Sequence, residues 1–304
     1  MATVELTALL RSATQRLAEA GCSSPAPDAA ALLGHAVGCD PAEVHRRALL
    51  GHAVDADGPE VAALEDGVAR RAAREPLQHV LGYAWFAGAR LTVGPGVFVP
   101  RPETELLVER AGEILASRGE GRVQVELVDL CTGSGAVVLG VAAAVERRRQ
   151  AGERLPELVL RAVEIDHRAA EYAERNIEST GMTVDLRVSD ARVEFADREG
   201  QADLVVSNPP YVPDGAVPDD PEVADHDPER ALYGGSPDGL AVPLQLARHA
   251  ATLLRPGGWL LMEHDDTQGE SLPRLLGELG YVDVVDHRDL AGRPRFVEGR
   301  WPGR

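Results

Sequence analysis

LVDLCTGSGAVVL, residues Leu127 to Leu139, is the stretch of this 304-residue chain that decides the fold. It begins with apolar residues up to Asp129 that predict a buried strand. A turn with Gly133 and Gly135 follows, and the apolar run after it predicts a helix. Glycines in such a turn let the backbone approach a ligand closely and present the helix N–H groups to it. Ordinary strand-to-helix connections share this pattern, so for the turn alone that alternative stays open.

From Val123 onward, predicted strands and helices alternate along the sequence. Short runs rich in apolar residues predict strands at Val123–Leu130, Leu158–Ile165, Val184–Val188, Leu204–Ser207 and Trp259–His264. Periodic apolar residues predict helices at Ala136–Arg148, Arg168–Glu178 and Leu240–Leu254. The tail predicts an antiparallel pair of strands at Val282–His287 and Pro294–Glu298. The alternation indicates an α/β fold with a mostly parallel sheet and helices on both faces.

The first part of the chain is organised differently. Residues 1–80 carry helical stripes and no residue with an obvious chemical role, which predicts an all-helical bundle suited to substrate recognition or support. Within it, Asp28 is expected to cap the second helix and Asp40-Pro41 to open the third. Residues 81–97 are punctuated by glycines and predict a hairpin linker. The domain with the parallel sheet is then expected to span residues 98–304.

Bulk composition limits the classes of function. The chain has 31 basic residues, all of them Arg, and 49 acidic ones, and the net charge of -18 argues against binding to duplex DNA or a membrane surface. Cys22, Cys39 and Cys131 show no metal-binding spacing, and their odd number favours a reduced, cytoplasmic protein. The N-terminus lacks a signal-peptide pattern, and the longest apolar run, Ala136–Val145, is too short to cross a membrane.

Acidic residues end two of the predicted strands. Glu164 ends the strand after the glycine turn, where a carboxylate can accept the ribose hydroxyls of an adenosine-type ligand. Asp166 could serve instead, but it fits better as the cap of the following helix. Asp190 ends the next strand and can receive the exocyclic amine of an adenine, although an Asp there is also a common turn former.

Together these features predict a nucleoside cofactor site at the carboxyl edge of the sheet. The third glycine of a dinucleotide fingerprint is missing, because Val138 occupies its place, which counts against NAD. No phosphate-binding Lys or Arg accompanies the turn in the sequence. The pattern therefore favours S-adenosyl-L-methionine, whose tail is an amino acid.

SNPPYVP, Ser207 to Pro213, follows the next strand of the same sheet. The side-chain oxygen of Asn208 and the carbonyl oxygen of Pro209 are two acceptors, held by prolines that allow little movement. Two fixed acceptors suit a planar NH2 group, and Tyr211 can stack on the conjugated system that bears it. Because the nitrogen lone pair of an amide is delocalised, orienting its hydrogens would favour the form that attacks a methyl sulfonium.

At this point a resemblance is evident. NPPY after DLCTGSGA resembles the class I methyltransferases that act on planar amino groups, in nucleic acids or proteins. Four further segments resemble the HemK/PrmC family, the peptide chain release factor glutamine methyltransferases. They are REPLQHVLGYAWFAG (Arg74–Gly88), FVPRPETELLVE (Phe98–Glu109), PEVADHDPERALYGGSPDGL (Pro221–Leu240) and LRPGGWLLMEHDDTQGE (Leu254–Glu270). The resemblance implies a seven-stranded, Rossmann-like methyltransferase domain after the bundle, with the glutamine of the release factors' Gly-Gly-Gln loop as substrate.

The resemblance also implies roles for particular residues. Those expected to bind the cofactor are Cys131, Thr132, Gly133, Ser134, Gly135, Glu164, Asp190, Ala191 and Asn208. Those expected to hold the substrate glutamine are Asn208, Pro209, Pro210 and Tyr211, with Asn208, Pro209 and Tyr211 as the catalytic residues.

The sequence departs from the family's pattern at three of these positions. Cys131 stands where Gly is usual, Glu164 replaces Asp, and Ala191 replaces a larger residue that could pack on the adenine. Each change could weaken cofactor binding, and none touches NPPY. Cys131 is expected to be a small apolar filler and not a nucleophile.

Three other functions stay open at this stage. A ribosomal-protein glutamine methyltransferase would share NPPY, an adenine-N6 methyltransferase would need more positive charge, and a non-catalytic adenosine-binding protein would not need Asn208. Two interpretations of RPETE also remain. Either Glu103 caps a helix and Arg101 pairs with an acid, or the turn of Arg101, Glu103, Thr104 and Glu105 lies over the cofactor and the substrate backbone.

Overall fold

The computed structural model describes residues 2–118, 122–218 and 220–303. Met1 and Arg304, at which the predicted domains begin and end, lie outside these ranges. The chain forms two compact units, an N-terminal unit of Met1–Tyr83 with Pro218–His226 and a C-terminal unit of Ala84–Val217 with Asp227–Arg304. The sequence did not predict that a segment after NPPY belongs to the N-terminal unit.

Helices and strands are numbered along the whole chain. The helices are α1 Leu6–Glu19, α2 Pro25–Val37, α3 Pro41–Leu49, α4 Pro59–Ala72, α5 Leu77–Leu81, α6 Thr104–Arg118, α7 Ala136–Gln150, α8 His167–Thr180, α9 Pro221–His226, α10 Glu229–Leu232, α11 Ala241–Leu253 and α12 Ser271–Glu278. The strands are β1 Thr3–Glu5, β2 Ala53–Asp55, β3 Tyr83–Phe86, β4 Ala89–Thr92, β5 Gln124–Leu130, β6 Glu157–Glu164, β7 Val184–Val188, β8 Ala202–Ser207, β9 Leu254–Glu263, β10 Val282–Arg288 and β11 Pro294–Arg300.

The N-terminal unit is built on a helical core. The apolar stripe of α1 is buried, from Leu6 to Leu17, against side chains of α2 and α4. Asp40 caps α3 as predicted, since its carboxylate accepts the Glu43 N–H at 2.8 Å. The structure adds a two-stranded antiparallel sheet, β1 with β2, to the predicted helices. Each strand has three residues, too few for a periodic pattern to reveal.

The predicted cap of α2 was wrong. The helix begins at Pro25, so Asp28 lies inside its first turn and not before it. Its buried carboxylate accepts a hydrogen bond from Arg71 Nε at 2.8 Å. A second Arg71 nitrogen donates to Glu222, also in the N-terminal unit, at 2.7 Å. Asp28 therefore serves a buried ion-pair cluster instead of a helix start.

The C-terminal unit contains the predicted sheet. Its seven strands run in the order β10-β11-β9-β8-β5-β6-β7. The five strands from β9 to β7 are parallel, and β11 is antiparallel to both of its neighbours, which confirms the predicted closing pair. The predicted α/β class and the alternation of strands and helices are confirmed, with strand bounds that differ by at most five residues and agree fully for β7.

Burial explains why these segments form the centre of the sheet. All six residues of β8 and six of the seven in β5 are buried, as expected for parallel strands covered on both faces. One face packs on α6 and α7, the other on α11 and α12. Helix α7 is apolar over most of its surface and Gly140 allows it to approach Phe86. Phe86 and Leu91, from the predicted hairpin linker, are buried in this core.

No helix within the described residues is both long and apolar enough to cross a membrane. The described parts of the chain also contain no cluster of three or more His, Cys, Asp or Glu side chains placed to hold a metal ion.

Candidate active site

The site lies where the direction of strand succession reverses. β5 pairs with β6 on one side and with β8 on the other, so their loops diverge and leave a crevice at the carboxyl edge. The glycine turn follows β5, Glu164 ends β6, and Asn208 follows β8. The topology therefore places the predicted cofactor and substrate residues along one edge of one sheet.

The glycine turn is fixed by hydrogen bonds at both ends. The Thr132 N–H donates to Val163 O at 3.0 Å, and the Ser134 carbonyl accepts from Asn176 Nδ2 at 2.9 Å. Gly133 has a φ of +57°, and a Cβ built there would meet no atom within 4 Å. The open space beside this glycine fits a ligand lying against the turn.

Asp129 supports the turn from inside the protein. Its side chain is fully buried, and Oδ2 accepts from Thr132 Oγ1 at 2.6 Å and from the Val138 N–H at 3.1 Å. Oδ1 has no hydrogen-bond partner among the described residues. Burial raises the pKa of this carboxyl to about 7, although the bonds from Thr132 and Val138 oppose the shift. The sequence reasoning used Asp129 only as a strand end and did not predict this role.

Cys131 adopts a backbone conformation that glycine favours. Its φ is +67°, in the left-handed region where a Cβ is strained. Burial raises the pKa of its thiol, so the side chain stays protonated and unreactive near neutral pH. The chemistry is that of the apolar filler expected from the sequence, and the strain explains why the family's Gly suits this position.

Glu164 is held by backbone N–H groups. Its Oε2 accepts from Gly133 at 2.8 Å and its Oε1 from Asp166 at 2.9 Å. Burial raises the pKa of this carboxyl against these hydrogen bonds. Because a carboxylate has about four lone-pair sites, Glu164 keeps acceptor capacity for a further donor. Asp166 caps α8 as predicted, accepting the Arg168 N–H at 2.8 Å.

A cleft of about 410 Å³ opens next to this strand end. It is lined by Gly96, Ile165, Asp166, His167, Arg168, Pro228 and Arg230. The residues that follow Glu164 in the chain thus face open space.

Asp190 already has a cationic partner. Arg192 Nε and Nη2 donate to its two carboxylate oxygens at 2.8 and 2.6 Å, and the pair lowers the pKa of Asp190. An adenine amine at this carboxylate would share it with Arg192. Ala191 beside it is 6% exposed and packs in the core near Cys131, so it offers only a methyl group to a ligand.

Asn208, Pro209 and Tyr211 lie together at the end of β8. Asn208 Nδ2 donates towards Thr104 Oγ1 at 3.5 Å, and its Oδ1 accepts no hydrogen bond from the residues described. The Pro209 carbonyl likewise accepts none within that part of the chain. The Tyr211 hydroxyl donates to Glu263 Oε1 at 3.1 Å. The two acceptors predicted for a planar NH2 group are therefore unused by the protein.

Glu263 is a site residue that the sequence reasoning missed. It ends β9, the strand beside β8, and is 2% exposed. Its Oε2 accepts the Thr104 hydroxyl at 2.6 Å, and burial raises its pKa against the bonds from Thr104 and Tyr211. The signal was present in the sequence, because Glu263 is an acid at the end of a parallel strand, as Glu164 is.

The backbone of Tyr211 is held by a later loop. Its carbonyl accepts from Gln268 Nε2 at 2.9 Å, and the same nitrogen donates to Asp238 O at 2.7 Å. Gly239 has a φ of +70°, and a Cβ there would lie 2.0 Å from Tyr211 O. Only glycine fits this approach, which fixes the NPPY loop from behind.

The RPETE turn agrees with one part of the first interpretation. Arg101 pairs with the buried Asp227 at 2.8 Å, as the first interpretation requires. It is Glu105 whose carboxylate accepts a backbone N–H, that of Ala87 at 2.9 Å, while Glu103 lies 3.8 Å from Arg293. Thr104 Oγ1 lies 3.5 Å from Asn208 Nδ2, and the second interpretation stays a prediction.

Comparison with known proteins matches both parts of the chain to family models. Residues 8–82 match the family model of the PrmC N-terminal domain, and residues 91–222 match that of the methyltransferase small domain. Together, the fold and the site define a class I methyltransferase that uses S-adenosyl-L-methionine.

Relatives of known name narrow the class. A release factor glutamine methyltransferase from Streptomyces coelicolor is 47% identical over 97% of this chain and 98% of its own. Proteins of the same name from Mycolicibacterium smegmatis and Bifidobacterium longum are 43% and 38% identical, over 95% and 96% of this chain and 95% and 98% of their own. The chain belongs to the release factor glutamine methyltransferase family.

Proposed function

We propose that this protein transfers a methyl group from S-adenosyl-L-methionine to the side-chain amide nitrogen (N5) of the glutamine in the Gly-Gly-Gln motif of peptide chain release factors. The observation that carries the proposal is the pair of unused acceptors, Asn208 Oδ1 and the Pro209 carbonyl, at the carboxyl edge of the sheet. The names of the relatives supply the substrate class.

The cofactor residues fit the group that the family uses. Bound S-adenosyl-L-methionine supplies a methyl group on a positively charged sulfonium. The turn Cys131–Gly135 offers open space at Gly133, and Glu164 retains acceptor capacity for a ribose hydroxyl. Asp190 and Ala191 would border the adenine, with Arg192 sharing the carboxylate. We assign these residues and Asn208 to cofactor binding.

Asn208, Pro209, Pro210 and Tyr211 are assigned to the substrate. The Asn208 and Pro209 oxygens would each accept one hydrogen of the glutamine NH2, which fixes the direction of the nitrogen lone pair. Tyr211 would cover one face of the flat amide. Neither acceptor is a base, so the gain in rate comes from orientation and from electrostatic stabilisation of the attacking nitrogen.

The remaining expectations join this proposal. The helical domain of residues 1–80 is assigned to recognition of the release factor. The proposed site holds only one glutamine side chain of that substrate, so further contacts are needed elsewhere. Release factors act on ribosomes in the cytoplasm, so we place the enzyme there. No direct binding to duplex DNA is expected at a net charge of -18.

Replacing Asn208 by Ala tests the proposal. The variant removes one of the two acceptors at a partly exposed position, so we expect methyl transfer to fall by at least about 100-fold with the fold retained. Transfer is measured with radiolabelled S-adenosyl-L-methionine and a purified release factor, and the fold by circular dichroism.

Substrate controls separate the alternatives. A release factor whose Gly-Gly-Gln glutamine is changed to Ala should take up no label. Ribosomal protein and duplex DNA are offered in parallel reactions. Label on either of these with none on the release factor, or wild-type rates from Asn208→Ala, would overturn the proposal.

A further inference from the structure

Glu263 connects two members of the NPPY segment through its two carboxylate oxygens. Oε1 accepts the Tyr211 hydroxyl at 3.1 Å, and Oε2 accepts the Thr104 hydroxyl at 2.6 Å. Thr104 in turn lies 3.5 Å from Asn208 Nδ2. Glu263 and Thr104 are 2% and 3% exposed, so water does not compete for these bonds.

The direction of each hydrogen bond in this series is set by Glu263, at which the series ends. In its ionised form Glu263 can only accept, so the hydroxyls of Tyr211 and Thr104 both donate to it. The single hydroxyl hydrogen of Thr104 is then used in the bond to Glu263. Towards Asn208 the Thr104 hydroxyl can therefore only accept. Asn208 must therefore turn its NH2 towards Thr104 and its oxygen away, and that oxygen accepts nothing else among the described residues.

We propose that Glu263 is a positioning residue that sets the orientation of the Asn208 amide through Thr104 and the ring position of Tyr211 directly. This rests on the proposed function, in which Asn208 Oδ1 accepts a hydrogen of the substrate amide. With the Asn208 amide reversed, an NH2 group would face the substrate NH2 and no hydrogen bond could form. Neither Glu263 nor Thr104 needs to touch the substrate for this effect.

Glu263→Gln separates the effect of the two hydrogen-bond acceptors from the effect of side-chain volume. The glutamine side chain keeps the volume but offers one acceptor and one donor in place of two acceptors. When its NH2 faces Thr104, that hydroxyl turns and donates to Asn208, which reverses the amide. When its NH2 faces Tyr211, the phenol loses its acceptor. Either arrangement disturbs one of the two substrate contacts.

Kinetics supply the first measurement. We expect Glu263→Gln and Thr104→Val each to lower kcat for the release factor by about 10- to 100-fold. Thr104→Ser keeps the hydroxyl and should retain kcat within about threefold. Glu298→Gln is the matched control, because Glu298 is also a buried carboxylate, on β11, but its partners are Arg110, at 2.7 and 3.0 Å, and His287, at 3.1 Å.

Nuclear magnetic resonance supplies a second measurement that needs no substrate. The chain contains only two asparagines, Asn176 and Asn208, so 15N-asparagine labelling gives two side-chain carboxamide signals. Asn176 is buried and bonded to Thr92 and Ser134, which makes it an internal reference. We expect the Asn208 carboxamide signals to move in Glu263→Gln and Thr104→Val, and those of Asn176 to stay.

The two measurements distinguish the possible failures. Lower kcat together with moved Asn208 signals supports the proposal. Unmoved Asn208 signals in both variants, or moved signals with an unchanged kcat, overturn it, as does an equal loss of kcat in Glu298→Gln. If the wild-type enzyme labels no release factor, the proposed function fails, while the resonances still decide whether Glu263 orients Asn208.

Discussion

At the scale of single residues, two buried acids, Asp129 near the end of β5 and Glu263 at the end of β9, lie in different environments. Both oxygens of Glu263 accept a hydroxyl, whereas Asp129 has one oxygen without a hydrogen-bond partner in the described chain. Desolvation without full hydrogen bonding penalises the charged form. Burial accordingly raises the pKa of Asp129 to about 7.

Asp129→Asn tests that consequence. Between an unfolded pKa near 3.9 and a folded pKa near 7, the unfolded chain releases this proton and the folded protein keeps it. The wild-type free energy of unfolding should therefore lose on the order of 2–4 kcal/mol from this group as pH rises from 4 to 8. Asn keeps an oxygen for Thr132 and Val138 and cannot ionise. As pH rises from 4 to 8, the free energy of unfolding of the variant minus that of wild type should therefore increase by that amount. Urea unfolding at several pH values measures both.

Asp238→Asn provides a control of opposite sign. Hydrogen bonds from Ser236 and a backbone N–H lower the pKa of Asp238. Its stabilising contribution is present above the unfolded pKa and is lost as pH falls, so this variant should lose stability relative to wild type as pH rises. A stability difference for Asp129→Asn that does not change with pH would show that Asp129 is ionised in the folded protein.

The role of a residue could be predicted from the sequence when its hydrogen-bond partner lies nearby along the chain. Asp166 and Asp40 cap helices two or three residues away, and local sequence showed both. Asp28 bonds Arg71, 43 residues on, and Thr104 bonds Glu263, 159 residues on. No periodic pattern encodes such distances, so both roles needed the structure.

At the scale of elements, the strand-end loops decide the site. The strands were predictable because a buried parallel strand is a short run of apolar residues, and the carboxyl edge follows from their common direction. The loop that holds the NPPY backbone was not, because its glycines are required by close contacts that form only in the folded chain, with Tyr211 of another loop and within the loop itself. Gly234 and Gly239 approach each other so closely that a Cβ on Gly234 would lie 1.9 Å from Gly239 O.

Gly239→Ala tests this loop. The added Cβ would lie 2.0 Å from the Tyr211 carbonyl, so the backbone behind NPPY must shift. We expect kcat for the release factor to fall by about 100-fold, since displacements near 1 Å have effects of that size. Steady-state methyl transfer gives the value, with S-adenosyl-L-methionine affinity measured by calorimetry.

Gly215→Ala is the matched control. Gly215 also has a positive φ, +85°, so an added Cβ brings similar backbone strain, but it meets no atom within 4 Å. Its kcat should stay within about threefold of wild type. Equal losses in both variants would attribute the effect to strain in the loop and not to displacement of Tyr211.

At the scale of the whole molecule, the chain carries a net charge of -18, and all 31 of its Lys and Arg positions are Arg. Arg71 in the N-terminal unit shows what that residue type provides. Its planar guanidinium donates to Asp28, to Glu222 and to the Glu75 carbonyl while 3% exposed. A Lys ammonium offers three donors around one point and could not reach the same three acceptors.

Arg71→Met should destabilise the N-terminal unit by about 3–5 kcal/mol, because it leaves the Asp28 carboxylate buried without its cation. Hydrogen exchange read by mass spectrometry should show peptides of α2 and α4 exchanging at least about 100-fold faster. Arg16→Met is the control, since its pair with Glu65 is exposed and such pairs contribute about 0–1 kcal/mol.

The double variant Asp28→Asn with Arg71→Met removes the orphaned charge as well and should recover part of the loss, while Arg74 still bonds Glu222. A double variant no more protected than Arg71→Met would assign the loss to packing of the arginine stem instead of the unpaired carboxylate.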